Sequence, residues 1–258
     1  MTLVTLITDF GTSDYYVALL KGEILTRTGD CRFVDVTHDI SPYDIMEGAF
    51  YLRSVYRHFP KGTIHVVGVH TFYAEQNELL VFEHEGHFFI GPNNGLFSLV
   101  HDQLDSKHMV AVPMANQVDL YLAASRIISR VSTQAPLDDI AHRVQRYEQK
   151  IALKPVINSH HIRATIIHVD RFGNVVANID RATFQTICGE RIYAIYFKSA
   201  DPITRLSSSY SDVTVGDVCA FFNDVDLLEI GINMGNAHQL LNLNKNEMIQ
   251  IDFHDIPD

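Results

Sequence analysis

The chain has 258 residues, 47% hydrophobic and 20% charged, enough for one large or two modest domains with a filled core. Lys plus Arg total 20 against 31 Asp plus Glu, and the net charge of −11 argues against nucleic acid or an anionic membrane as partner. No apolar run approaches the roughly 20 residues that span a bilayer, and Met1-Thr2-Leu3-Val4 lacks the basic start and cleavage site of a secretory leader. Three scattered cysteines (Cys31, Cys188, Cys219) make no disulfide framework, so a cytoplasmic location is expected. The only adjacent histidine pair, His160-His161, has no third ligand nearby, and no metal site is expected.

In chain order, residues 3–8 read as a strand, and Thr12-Ser13-Asp14 offers N-caps for a helix running to about Arg27. Residues 31–36 form the next strand, and Ser41-Pro42 opens a second helix whose Ile45, Ala49, Leu52 and Val55 share one face. Strands follow at 63–69, 79–84 and 87–90. This alternation predicts an α/β N-terminal domain, residues 1–150, with a mostly parallel sheet and helices on both faces. A charged run at 145–150 and the breaker Lys154-Pro155 mark a boundary. Short strands at 163–169, 174–179, 191–197, 218–222, 227–232 and 248–253 then predict a smaller all-β, barrel-like or sandwich domain over 155–258.

Three polar loops follow apolar strands: Thr8-Asp9-Phe10-Gly11, Gly91-Pro92-Asn93-Asn94-Gly95 and Asp170-Arg171-Phe172-Gly173-Asn174. Asp or Asn at the carboxyl end of a buried strand faces the crevice where α/β folds bind ligands, and a neighbouring glycine permits close approach. Carboxylates and amides without basic neighbours suit hydroxyls, amines and a purine edge, which indicates a nucleoside. A phosphate-binding enzyme is disfavoured, because no Gly-rich loop with Lys-Ser/Thr and no GxGxxG string is present.

The strings Ile7 to Asp14, Asp35-Val36-Thr37-His38, Pro42 to Ala49, Phe59 to Val66, Gly91 to Leu96, Phe172 to Ile179 and Ile232 to Ala237 together resemble the S-adenosylmethionine (SAM) hydroxide adenosyltransferases. These are SAM hydrolases related to the fluorinating and chlorinating SAM halogenases. The resemblance implies the same two-part architecture and a homotrimer whose sites lie between one subunit's N-domain and the neighbour's C-domain. It implies SAM or adenosine as ligand and no cofactor. It assigns Asp9 to the ribose hydroxyls, Asp170 to the methionine amine and Asn174 to the adenine edge. Further ligand positions implied are Asp14, Tyr15, Asn94, Asp119, Phe172, Asp224 and Met234, and Tyr43, which stands where the halogenases carry a tryptophan over the ribose and sulfonium.

Each assignment has a plainer alternative. Asp9 could cap the following helix, Phe172-Gly173-Asn174 is good turn chemistry by itself, Tyr43 could be a core aromatic, and Asn93-Asn94-Gly95 fits a structural turn equally well. The departures from the family pattern are specific. SAM hydrolases read Asp-Pro-Gly-Val-Gly where this chain has His70-Thr71-Phe72-Tyr73-Ala74, and their following arginine falls near Asn77. A later Arg-Asp pair is Val118-Asp119 here, and Ile127 replaces the histidine of the Asp-Arg-His triad that positions the attacking water. His70 is the remaining candidate for a general base. Asp224 stands near the family's clamp for the methionine carboxylate, which it would repel. Phe72 and Tyr73 are too bulky for a halide pocket. The expectation is therefore SAM or adenosine binding with hydrolysis of SAM to adenosine and methionine, and the alternative is a non-catalytic nucleoside sensor.

Overall fold

A strand apolar on both faces belongs in the middle of a sheet, and β1 (Thr2–Thr8), buried from Val4 onward, is in that position. It pairs in parallel with β2 (Cys31–Thr37) on one side and β3 (Ile64–Gly68) on the other. The computed structural model describes residues 1–72, 77–101, 103–198 and 201–255, without the side chains of Gln117 and Val118. The chain divides into two compact units, Met1–Ile151 and Ala152–Asp258.

The first unit also contains α1 (Tyr16–Thr28), α2 (Ile45–Val55), β4 (Asn77–His84), β5 (His87–Pro92), α3 (Leu96–Val100), β6 (Val110–Met114), α4 (Gln117–Ser132) and the short β7 (His142–Arg143). Its seven-stranded sheet has the order β2-β1-β3-β5-β4-β6-β7. The β3–β5 pairing is parallel, whereas β4 runs antiparallel to β5 and β6, and β7 antiparallel to β6. The sheet is thus mixed: β4 and β7 run against the common direction of the other strands. A tight turn at Glu85-Gly86 makes the β4–β5 hairpin, a connection that parallel strands cannot use.

Alternation along the strands separates two packing faces. Val4, Leu6, Ile64, Val66 and Ile90 join Leu20 and Ile24 of α1 and Leu120, Ala124, Ile127 and Ile128 of α4 in one core. On the opposite face His65, His87 and Phe89 meet Tyr56, which directly follows α2, and Thr5 hydrogen-bonds to His65. Removing each large apolar side chain from water there contributes about 1.5–3 kcal/mol.

Both helix starts differ from expectation. Helix α1 begins at Tyr16, and its N-cap residue Tyr15 makes no side-chain cap, so neither Ser13 nor Asp14 closes it. Helix α2 begins at Ile45 rather than at Ser41-Pro42. Tyr43 has φ +68°, outside the helical region, and Asp44 is the cap, its carboxylate accepting from the Glu47 N–H at 3.0 Å.

The second unit contains β8 (Val156–Ile157), β9 (His161–Val169), β10 (Val175–Asp180), α5 (Arg181–Cys188), β11 (Ile192–Tyr196), β12 (Val218–Phe222), β13 (Leu227–Ile232), α6 (Ala237–Leu240) and β14 (Met248–His254). The pairing order is β11-β14-β9-β10-β13-β12, with β8 beside β9 and every pairing antiparallel. No pairing joins β11 to β12 among the described residues, so the sheet is a curled half-barrel, not a closed barrel. It wraps around Ile162, Ile166, Val175, Ile195, Leu228, Ile230 and Ile251, with Phe184 of α5 among them. Helix α5, absent from the strand reading, is capped by Asp180, which accepts from both the N–H and the hydroxyl of Thr183 at 2.7 Å.

Candidate functional site

In the first unit, the candidate residues gather on Asp9. Its Oδ2 accepts the backbone N–H of Tyr43 and that of His70, each at 3.0 Å. Oδ1 takes no hydrogen bond among the described residues. Asp9 therefore does not cap the helix that follows it. The two donors are both non-glycine residues at positive φ, +68° for Tyr43 and +49° for His70. Such conformations cost about 1–3 kcal/mol each and persist where the surroundings impose them. Here one carboxylate oxygen pins both, and the Tyr43 and His70 rings meet edge to face at 5.3 Å. Tyr43 is 70% exposed, which removes the core-aromatic alternative.

The rest of the loop is held from behind. Thr8 Oγ1 lies 2.8 Å from His38 Nδ1, and the Gly11 N–H donates to the His38 carbonyl at 2.8 Å, tying the end of β1 to the segment after β2. Asn94 is buried, donates to the carbonyls of Val69 (2.9 Å) and His70 (3.1 Å), and accepts from the Leu96 N–H at 3.1 Å. Its amide thus clamps the His70 loop from inside. Tyr15 is exposed and packs on Tyr16 at 4.7 Å; that neighbour first, then desolvation and then Asp14, pushes the Tyr16 phenol up. Asp119 lies in the first turn of α4, where Oδ2 accepts the Ala115 N–H at 2.9 Å while Asn116 Oδ1 accepts the Asp119 N–H at 3.1 Å. That reciprocal arrangement is a helix-start device.

The departures also have places. Ile127 is completely buried in the α1–α4 core, so the helix position where the family carries its histidine faces apolar side chains. Asn77 opens β4 opposite Met114, and Phe72 packs on the same core. Tyr73, Ala74 and the Val118 side chain lie outside the described residues.

In the second unit, Asp170 builds the loop between β9 and β10. Its Oδ1 accepts the N–H groups of Phe172 (2.9 Å) and Asn174 (2.8 Å), and its Oδ2 accepts Asn174 Nδ2 at 2.9 Å. Gly173 has φ +86°, and a Cβ there would fall 2.2 Å from the Asn236 side chain, so both conformation and space require glycine. Phe172 is left 75% exposed at the tip. Met234, at φ +57° and 87% exposed, lies in the turn after β13. Asp224 is exposed in the β12–β13 turn, which Asn223 Oδ1 closes by accepting from Val225 and Leu227.

Sequence reasoning missed what lies behind Asn174. Its Nδ2 also donates to Tyr210 Oη at 2.9 Å, Tyr210 Oη donates to Glu229 Oε1, and Asn223 Nδ2 donates to Glu229 Oε2 at 3.0 Å. Asn174 and Glu229 are 4% and 7% exposed. A buried carboxylate is tolerated when its oxygens are hydrogen-bonded, as both are here. Tyr210 and Glu229 belong to no motif, and only a charged residue inside the apolar run of β13 hinted at them.

Known proteins resemble the chain throughout. The SAM hydroxide adenosyltransferase N-terminal domain matches residues 4–123 and the C-terminal domain residues 164–250. A protein of Methanocaldococcus jannaschii named (R)-S-adenosyl-L-methionine hydrolase is 27% identical over 260 residues, covering 97% of this chain and 96% of that one. A fluorinase of Nocardia brasiliensis is 26% identical over 231 residues, 72% of this chain and 73% of that one. Among solved structures, a conserved protein of Thermotoga maritima shares the fold with a TM-score of 0.82 at 21% identity, covering 97% of this chain and all of that one. With both of its domains matched, in order and over most of the length, the chain belongs to the SAM hydroxide adenosyltransferase family.

Proposed function

We propose that the chain binds S-adenosyl-L-methionine and transfers its adenosyl group to water, releasing adenosine and methionine. The observation that carries this is the Asp9 carboxylate: one oxygen organises Tyr43 and His70, and the other is left to accept hydrogen bonds. Both hydroxyls of a ribose are suitable donors, and charge-assisted hydrogen bonds of this kind are strong. Asn174 takes the base edge, and Asp170 Oδ2 keeps lone-pair capacity for an amine beyond its bond to Asn174. The exposed face of Tyr43 suits a sulfonium cation.

In the reaction, the water oxygen bonds to C5′ as the C5′–S bond breaks, and sulfur leaves with the electron pair as the neutral thioether of methionine. The water's proton passes to His70. An imidazole nitrogen serves as a general base, and the His70 backbone is pinned to the carboxylate that holds the ribose. The burial of Ile127 supports this assignment, because the α4 position where the resemblance puts a histidine carries an apolar side chain inside the core. The resemblance also supports a homotrimer, which light scattering on the purified protein tests.

The central experiment follows adenosine release from SAM by chromatography, with Asp9→Ala as control. Release by the wild type and not by the control supports hydrolysis. Binding of SAM without release above spontaneous breakdown replaces hydrolysis with a sensor role, and failure to bind SAM or adenosine overturns the adenosyl assignment.

A further inference from the structure

An amide can present a donor, an acceptor or both, and what it presents depends on what already occupies it. Asp170 Oδ2 is a carboxylate oxygen and can only accept, so the group of Asn174 facing it at 2.9 Å is the NH2. The second hydrogen of that NH2 goes to Tyr210 Oη at 2.9 Å. Tyr210 can receive it because its own hydroxyl hydrogen goes to Glu229, which likewise only accepts. Burial, and then the bond to Glu229, pushes the Tyr210 phenol up, so it stays a protonated donor. Asn223 occupies the other Glu229 oxygen at 3.0 Å and holds the carboxylate in place. The Asn174 backbone N–H and C=O are taken by Asp170. One polar atom of Asn174 remains without a partner among the described residues: Oδ1.

The packing preserves this arrangement. A Cβ on Gly231 would come within 2.8 Å of both Asn174 Oδ1 and Tyr210 Cε1, so glycine at that point of β13 lets amide and phenol lie side by side over the strand. Tyr210 is also braced edge to face by Phe221 at 4.8 Å.

We infer that Tyr210 and Glu229 are positioning residues that lock Asn174 as an acceptor-only reader of the base, selecting a 6-aminopurine over a 6-oxopurine. This rests on the adenosyl assignment above and specifies how the base is chosen. An exocyclic amino group donates to Oδ1. A 6-oxo group places a second acceptor against it, and the amide cannot turn over without facing the Asp170 carboxylate with its own oxygen.

The test is calorimetric binding of adenosine and of inosine to the full-length chain. The wild type is expected to bind adenosine at least about ten-fold more tightly than inosine, the equivalent of one hydrogen bond gained or opposed. Tyr210→Phe frees one Asn174 N–H and is expected to bring the two affinities within about three-fold. Glu229→Gln is expected to do the same, because an amide cannot accept from Tyr210 and Asn223 together. Asp9→Ala is expected to weaken both nucleosides equally and leave their ratio unchanged. A ratio in a folded Tyr210→Phe protein equal to that of the wild type overturns the inference; if that variant does not fold, the Glu229→Gln ratio decides on the same terms. Equal wild-type binding of the two nucleosides overturns the inference and leaves the adenosyl assignment standing. If neither adenosine nor SAM binds, that assignment falls and takes the inference with it.

Discussion

Acid should unfold the first unit through two histidines that the fold holds neutral, and His101→Phe isolates one of them. His101 is 5% exposed, and its Nε2 has no hydrogen-bond partner among the described residues. Its ring lies 4.9 Å from Phe89, 5.3 Å from Tyr56 and 4.3 Å from His84. Burial first, then the charge of His84, pushes its imidazole down to about 3; Arg57 and Arg53 act the same way and Glu85 opposes them. His65, hydrogen-bonded to Thr5 and His87, is also pushed down to about 3, by burial and then by His87.

An unfolded histidine titrates near 6.5. The unfolded chain therefore binds protons that the folded chain refuses. This contribution to stability is complete above about pH 6.5 and is lost progressively as the pH falls toward 3. Between pH 7 and pH 5 the linkage relation gives a loss of about 2 kcal/mol for one such group, whatever its folded value, provided it stays below 5. The phenylalanine ring suits the aromatic surroundings, removes an unpaired buried nitrogen and removes the titration. Urea unfolding followed by circular dichroism, suitable for a chain without tryptophan, should show the variant more stable by about 1 kcal/mol at pH 7 and by about 3 kcal/mol at pH 5. Equal loss of stability by both proteins between those pH values would falsify the reasoning.

Three further outcomes follow from the loops. Gly173→Ala should lower stability by more than about 2 kcal/mol, because it combines a positive φ with a clash against Asn236; an unchanged melting temperature would contradict this. Asn94→Ala strands the carbonyls of Val69 and His70 and the Leu96 N–H, and should cost about 2–3 kcal/mol. Thermal unfolding measures that cost, and a loss below about 0.5 kcal/mol would mean that water replaces the clamp at no penalty. His70→Ala should reduce adenosine release from SAM by about 100-fold or more and leave the SAM dissociation constant within about three-fold. Undiminished release would show that another group takes the proton.

Much of this protein could be read from residue order alone, because the relevant physics is local. Strand β1 is apolar on both faces and could only be central, and the short strands after Lys154-Pro155 carry their own turn signals. Gly173 could be identified because a tight loop needs a positive φ, and Asp9 stood out as a candidate because a carboxylate at a strand end has few structural uses. Tertiary structure decided the rest, where partners are far apart in the chain. The antiparallel β4 and β7 and the open edge of the half-barrel depend on pairings that strand periodicity does not encode. Helix α2 starts at Ile45, capped by Asp44, and not at Ser41-Pro42, because Tyr43 is bound to Asp9, 34 residues away. Tyr210 and Glu229 could not be found by motif, since Tyr210 meets Asn174 across 36 residues and Glu229 across 19, and the strands that carry Asn174's neighbour and Glu229 pair only in the fold. A sequence states which groups are available; which hydrogen each one gives, and to whom, is settled when distant strands come into register.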